Sequence, residues 1–417
     1  MDQAPEGFRG RHSGRSKVET LMTRIASVEL SLFRFEVQGL CLPGHGAAGV
    51  ANLIAKKGER MPAQRWAVRI ETDDGVWGEY VTHWVGTPSS FGQASMLAPH
   101  LIGRDPDARE EIWQDLRREL RAYDHMGQGP LDIALWDLAG KRRNTSVARL
   151  LGGFRTRLPA YASTYHGQEE PGGLDTPEAF AEYAAACKQR GFAGFKIHGW
   201  HNGAVAREVS TILGVRKAVG DGWPLMIDPA SQLRTWRDAL TVGRACDEAG
   251  FFWYEDPYRD TGGALEGHRR LRERLDTPLL VCEHVRGLEA KAAFILGGGG
   301  DLMHADPEYD MGITGAVKIA HFCQALGIDV QYHACGPAHR AIMAATPNTH
   351  FYEMALVGPG MPNAVPPVYL CDYSDQPEGL GADGSVPVPD GPGLGVAYDW
   401  PFIERNRLSH LVFARAG

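Results

Sequence analysis

The sequence predicts an α/β protein: a (β/α)8, TIM-type barrel behind an N-terminal α+β capping domain that the C-terminal segment completes. Three observations predict it. The chain has 417 residues, more than a single small core absorbs. Its first third alternates apolar and polar residues in the manner of antiparallel strands. From Leu158 onward, short β-rich runs are separated by helical segments and recur at intervals of roughly twenty-five to thirty residues, the spacing that a βα unit requires.

Residues 1–24 are polar and Arg-rich and lack the apolar stretch of a secretory signal, while Asp2, Glu6 and Glu19 argue against a transit peptide. They read as a disordered tail, with Met22 an alternative start. The capping domain then spans residues 25–157. In it "IASVELSLFRFEV" and "RWAVRIETDDGVWGEY" read as strands, the second folded at "DDG". Between them "GHGAAGVANLIAKKGERMP" reads as a mobile loop over a site. Helical periodicity follows in "DAREEIWQDLRREL" and in "GPLDIALWDLAGKRRNTSVARLLGG", which closes on glycines suited to a C-cap. The barrel occupies residues 158–374, with strands at "LPAYAS", "GFKIH", "PLMID", "FFWYE", "PLLVCE", "DLMHAD", "IDVQYH" and "HFYEMAL". Parallel strands alternating with helices close most simply into a barrel with the helices outside. Residues 375–417 read as a Pro/Gly-rich return to the first domain that ends in a strand-like stretch.

A net charge of −8 argues against a surface built to neutralise phosphate, so nucleic acid is excluded as a partner. No apolar run reaches the length that crosses a bilayer. The seven cysteines are scattered, odd in number and without a CxxC pair, so they suggest neither a disulfide framework nor a thiolate zinc site. The expected location is the cytoplasm.

Barrel chemistry sits at the C-terminal rim, so the residue that ends each strand carries the argument. Strand two ends in Lys196 and His198, and strands three to eight in Asp228, Glu255, Glu283, Asp306, His333 and Glu353. Any one of these taken alone reads more readily as a turn residue, a cap or a partner for an arginine. Together they cannot share a poorly solvated rim unless something compensates their charge. Asp228, Glu255 and Glu283 offer hard oxygen ligands and call for a divalent cation, Mg²⁺ before zinc because the trio contains no histidine.

The same residues resemble the mandelate racemase subgroup of the enolase superfamily, over nearly the whole chain from Ile25. The matching features are "ALWDLAGKRRNTSVARLLGG", Lys196, the ladder Asp228, Glu255 and Glu283, the phrase "MGITGAVKIAHFCQALGIDV", and the pair Asp306 and His333. The resemblance implies that the three carboxylates bind Mg²⁺, that Asp306 and His333 form an acid/base dyad, and that Glu353 hydrogen-bonds the substrate carboxylate. It also implies an assembly of identical subunits, and that the loop from His45 to Lys57 sets specificity by closing over the substrate. The family more often has Lys-x-Lys on strand two, so histidine at 198 leaves open whether Lys196 or His198 is the base. His304, where relatives commonly have glutamine, is expected to be a satisfied interior side chain, and His284 to face away from the interior.

Alternate residues of a strand share a face, so Lys196 and His198 should form one wall of basic groups and His333 the opposite wall. Such a site can remove the proton next to a substrate carboxylate and stabilise the enediolate. Loss of a neighbouring hydroxyl as water then gives an acid-sugar dehydratase, the reading preferred here. Return of a proton from the other face gives a racemase or epimerase. A metal-dependent hydrolase and a non-catalytic carboxylate binder are the remaining classes.

Overall fold

The computed structural model describes residues 23–41, 53–168, 171–258, 263–361 and 363–415. The antiparallel strands of the first third are β1 (Ile25–Cys41), β2 (Ile54–Thr72) and β3 (Trp77–Val81). Their alternation does what period two requires: Phe33, Phe35 and Val37 are buried while Arg34, Glu36 and Gln38 are exposed. The helices Pro88–Leu97, Arg109–Glu119 and Gly129–Arg142 follow. The third lies so close to β3 that a Cβ on Gly78 would stand 2.1 Å from the carbonyl oxygen of Ala134. Only glycine permits that approach.

Eight strands follow in parallel: β4 (Arg157–Thr164), β5 (Gly194–His198), β6 (Leu225–Asp228), β7 (Trp253–Glu255), β8 (Leu279–Val281), β9 (Leu302–Ala305), β10 (Asp329–Tyr332) and β11 (Tyr352–Val357). The hydrogen-bonded ladder runs from β10 back through β9, β8, β7, β6, β5 and β4 to β11, so the first and eighth strands are neighbours and the sheet curls into a barrel. Between β10 and β11 no backbone ladder is formed among the described residues, and side chains bridge the seam. Gln331 Nε2 donates to the Phe351 carbonyl at 2.5 Å, and the Ala334 N–H donates to Glu353 Oε2 at 2.6 Å. Every residue of β5 is buried, as expected of a strand covered on both faces. Helix starts are fixed by side-chain caps: Thr176 opens Pro177–Arg190, and Thr235 with Asp238 forms a capping box on Trp236–Ala249.

Four expectations are corrected. The C-terminal segment does not return as one piece, because β12 (Ser385–Pro387) pairs antiparallel with β4 of the barrel. Only β13 (Arg407–Ala414) joins the first sheet, against β1. Within the stretch read as strand-like, residues Trp400–Arg405 form a helix that the Asp399 carboxylate caps at Phe402 N–H. The long loop between the first two strands is shorter than the glycines suggested, since β2 begins at Ile54, with Ile54 and Ala55 paired opposite Cys41 and Leu40; residues 42–52 lie outside the described residues. The helix beginning at Gly129 stops at Arg142 and restarts as Val147–Leu150, because Asn144 adopts a positive φ of 48°. The tail expected over residues 1–22 also lies outside the described residues, whereas Thr23 and Arg24 are tied to Asp74 and Asp73.

Candidate active site

Parallel strands that run in one direction bring their last residues to one rim, and the singled-out side chains meet there. Lys196 lies between two carboxylates, its Nζ 2.8 Å from Glu255 Oε1 and 2.9 Å from Glu353 Oε1, with Asp228 Oδ2 at 4.0 Å. Two residues along β5, His198 Nε2 stands 3.2 Å from Asp228 Oδ2. The backbone and ring of His198 are fixed by the end of β4: Thr164 Oγ1 accepts its N–H at 3.0 Å and Ser163 Oγ lies 3.3 Å from Nδ1. On the other side of the rim, His333 Nδ1 is 2.7 Å from Asp306 Oδ2 and His333 Nε2 is 3.3 Å from Glu283 Oε1. The wall of Lys196 and His198 thus faces His333 across Asp228, Glu255 and Glu283.

Burial sets the electrostatics. Burial and then the neighbouring Glu255 push the Asp228 carboxyl above its ordinary range, against the pull of His198 and Lys196. Burial opposes ionisation of Glu255 too, but Lys196 and His304 overcome it and hold Glu255 well below the usual range. For Lys196, burial works against the ammonium, and Glu255 and Glu353 outweigh it, holding this lysine well above its ordinary value. Burial likewise disfavours the His333 imidazolium, yet Glu283 and then Asp306 raise it to about 10. For both Lys196 and His333, neighbouring carboxylates outweigh the burial that opposes the charged form.

Several supporting residues were not read from the sequence. Asp256, next to Glu255, accepts the N–H groups of Cys282 and Glu283 at 3.3 and 3.1 Å and so aims Glu283 from beyond the end of β8. Trp253 Nε1 donates to Glu255 Oε2 at 2.9 Å. The Tyr309 ring stacks on His333 with 5.2 Å between centroids, and the Arg286 guanidinium lies 4.3 Å from the centroid of that tyrosine ring. Glu308 binds the two domains together. Its Oε1 accepts Tyr80 O–H and His83 N–H at 2.8 and 2.7 Å, and its Oε2 accepts the N–H groups of Trp84 and Val85 at 2.8 and 2.9 Å. The sequence signal for Tyr309 and Glu308 was their place just after Asp306 in "ADPEYD", a turn at the rim.

Two histidines depart from expectation. His284 does not face away: its Nε2 is 3.3 Å from Glu283 Oε1, because Cys282 takes a positive φ of 79° and strand alternation has ended. His304 is interior but only half satisfied, with Nε2 2.9 Å from Glu255 Oε1 and no partner for Nδ1.

This combination of curled parallel sheet, antiparallel cap and acidic rim agrees with what comparison with known proteins finds. Residues 179–402 match the enolase C-terminal domain-like family and residues 58–152 the N-terminal domain of the mandelate racemase / muconate lactonizing enzyme family. The chain belongs to that family. Among its relatives, D-galactarolactone cycloisomerase of Agrobacterium fabrum is 30% identical over 82% of this chain and 90% of its own length. L-talarate/galactarate dehydratase of Salmonella typhimurium is 28% identical over 72% of this chain and 76% of its own. Among solved structures, D-glucarate dehydratase from Agrobacterium tumefaciens, complexed with magnesium, superposes with a TM-score of 0.78 at 28% identity, covering 93% of this chain and 99% of that one.

Proposed function

We propose that this chain is an acid-sugar dehydratase that binds Mg²⁺ through Asp228, Glu255 and Glu283. The observation that carries the reading is the opposition of two proton carriers across a buried acidic cluster: His198 beside Asp228 at 3.2 Å, and His333 beside Glu283 at 3.3 Å. The donor set fits the ion. Its oxygens are hard and come from three successive strands; carboxylate oxygens of Glu255 and Glu283 lie within 4.8 Å of each other, and Asp228 would close on the same ion from the neighbouring strand. A cation held there would neutralise the substrate carboxylate and the charge that develops on it as the α-proton leaves.

The protein's own groups supply the rest. Lys196, held by Glu255 and Glu353 at 2.8 and 2.9 Å, is placed as a positive charge for the developing enediolate. The α-proton goes to His198, whose Nε2 points along the acidic cluster and whose ring the end of β4 orients. His333, protonated and braced by Asp306, gives a proton to the departing β-hydroxyl, which leaves as water. The resulting enol tautomerises to a 2-keto-3-deoxy acid. Similarity to dehydratases acting on talarate, galactarate and glucarate supports a polyhydroxylated acid as substrate. Similarity to the cycloisomerase supports a second outcome of the same first step, proton return from the facing wall with epimerisation or rearrangement when no β-hydroxyl departs.

The test is a library of mono- and diacid sugars incubated with the protein and Mg²⁺ in D₂O. A 2-keto product with some member of the library is the expected result. Neither product nor α-deuterium exchange with any acid would defeat the reading.

A further inference from the structure

His166 is a further imidazole at the rim. It lies two residues past the end of β4, on the side of the barrel that holds Lys196 and His198. Its ring packs edge-on against that of His198, with 4.9 Å between centroids. It is buried but not sealed, with 5% of its surface exposed. Its backbone N–H donates to the carbonyl of Leu53 in the capping domain at 3.2 Å, so the residue stands where the barrel rim meets the cap.

The surroundings of the ring fix where its proton sits. Nδ1 is 3.0 Å from the carbonyl oxygen of Gly199, which can only accept, so Nδ1 carries hydrogen. Burial first and the neighbouring His198 next hold the imidazole well below its ordinary value, so the ring is neutral and has a single N–H. Nε2 is left as an acceptor, and it makes no hydrogen bond among the described residues. Joining the loops after β4 and β5 does not account for that nitrogen. Those loops are tied without it: Gly167 N–H donates to the Gly199 carbonyl at 3.2 Å, and the Gly167 carbonyl accepts the His201 N–H at 3.1 Å. Nor does His166 belong to any group of side chains close enough to share a metal ion among the described residues. An acceptor without a partner in so covered a place calls for a donor from outside the chain. A substrate carboxylate only accepts; a substrate hydroxyl can donate.

We propose that His166 sets substrate specificity by accepting, at Nε2, a hydrogen bond from a substrate hydroxyl other than the one lost as water. This role rests on the dehydratase reading and deepens it. The metal cluster and Lys196 take the carboxylate end of the substrate and His333 the leaving hydroxyl, so the contact at His166 selects an acid with a further hydroxyl on the His198 side of its carbon chain. An acid without that hydroxyl leaves Nε2 unpaired beneath the bound ligand and binds more weakly.

The experiment uses the full chain with Mg²⁺ and measures kcat and KM for the best acid of the sugar-acid library and for each monodeoxy analogue that keeps the leaving hydroxyl. In the wild type, loss of one such hydroxyl should raise KM by about 10- to 100-fold. The asparagine amide of His166→Asn can still donate to the Gly199 carbonyl but has nothing in place of Nε2. KM for the parent acid should therefore rise in this variant by the same factor, while KM for that one analogue stays at its wild-type value. His166→Gln, whose amide oxygen returns an acceptor near Nε2, should recover part of the loss. A parent KM within about twofold of wild type in His166→Asn would overturn the inference, as would equal losses on the parent and every analogue. A fall in kcat for all acids alike, with KM unchanged, would also overturn it and make His166 a brace for the His198 ring. Wild-type KM within about twofold for every analogue would overturn it whether or not the variants fold. Neither product nor α-exchange with any acid would instead overturn the dehydratase reading on which it stands.

Discussion

Replacing His333 by asparagine separates the two halves of the reaction. Glu283 and Asp306 raise the imidazole to about 10 despite its burial, so the ring is protonated at neutral pH. Asparagine can keep the contact to Asp306 but has no proton to give, so the loss is that of a general acid, about 10²–10⁴ in rate or roughly 3–5 kcal/mol of barrier. The assay follows 2-keto acid formation and, in D₂O, deuterium incorporation at the α-carbon by NMR. Dehydration should fall by about 10²–10⁴ while α-exchange continues through His198, with metal still bound. Turnover within about tenfold of wild type would refute the role of His333. Loss of α-exchange together with turnover would move the base to His333 and refute the division of labour between the walls.

Asp306→Asn removes a charge that holds His333 protonated; an acid works below its pKa, so the alkaline fall in kcat should move to lower pH, and an unmoved limb would show that Asp306 does not tune the ring. Glu208 is buried with its carboxyl raised to about 8, burial being the main cause. Its folded pKa exceeds the unfolded value, so this group's stabilisation is complete below about 4.5 and is lost as pH rises toward 8. Relative to the wild type, Glu208→Gln should therefore gain up to about 4 kcal/mol between pH 5 and 8.5 in denaturant unfolding, and a constant gap would contradict the shift. Glu308→Ala leaves three backbone N–H groups and the Tyr80 hydroxyl without their acceptor and should cost at least about 3 kcal/mol, read from unfolding midpoints; a change under about 0.5 kcal/mol would show that the clamp carries little.

The barrel was legible because each βα unit leaves a strong local signature, and the rim because alternation fixes which residue of "GFKIH" or "PLMID" points inward. Lys196, His198 and Asp228 sit at or within two residues of regular strand ends, and that is where spacing could find them. Alternation gave no purchase where the chain leaves regular geometry. Beyond β8 the positive φ at Cys282 turned His284 toward Glu283, and at Asn144 a similar residue split a helix that periodicity ran together. Contacts between distant segments were invisible for a different reason. Glu308 holding Val85, and Asp256 aiming Glu283, depend on tertiary docking that no local pattern encodes. The C-terminal segment belongs to the same class, for β12 is short enough that its partner is decided by what it lands on.

The most direct test is a crystal soaked with Mn²⁺ and recorded at a wavelength where that ion scatters anomalously. The account predicts one peak bounded by carboxylate oxygens of Asp228, Glu255 and Glu283 at about 2.1 Å, between His198 and His333. Side chains pointing apart, with no anomalous density shared among them, would contradict it.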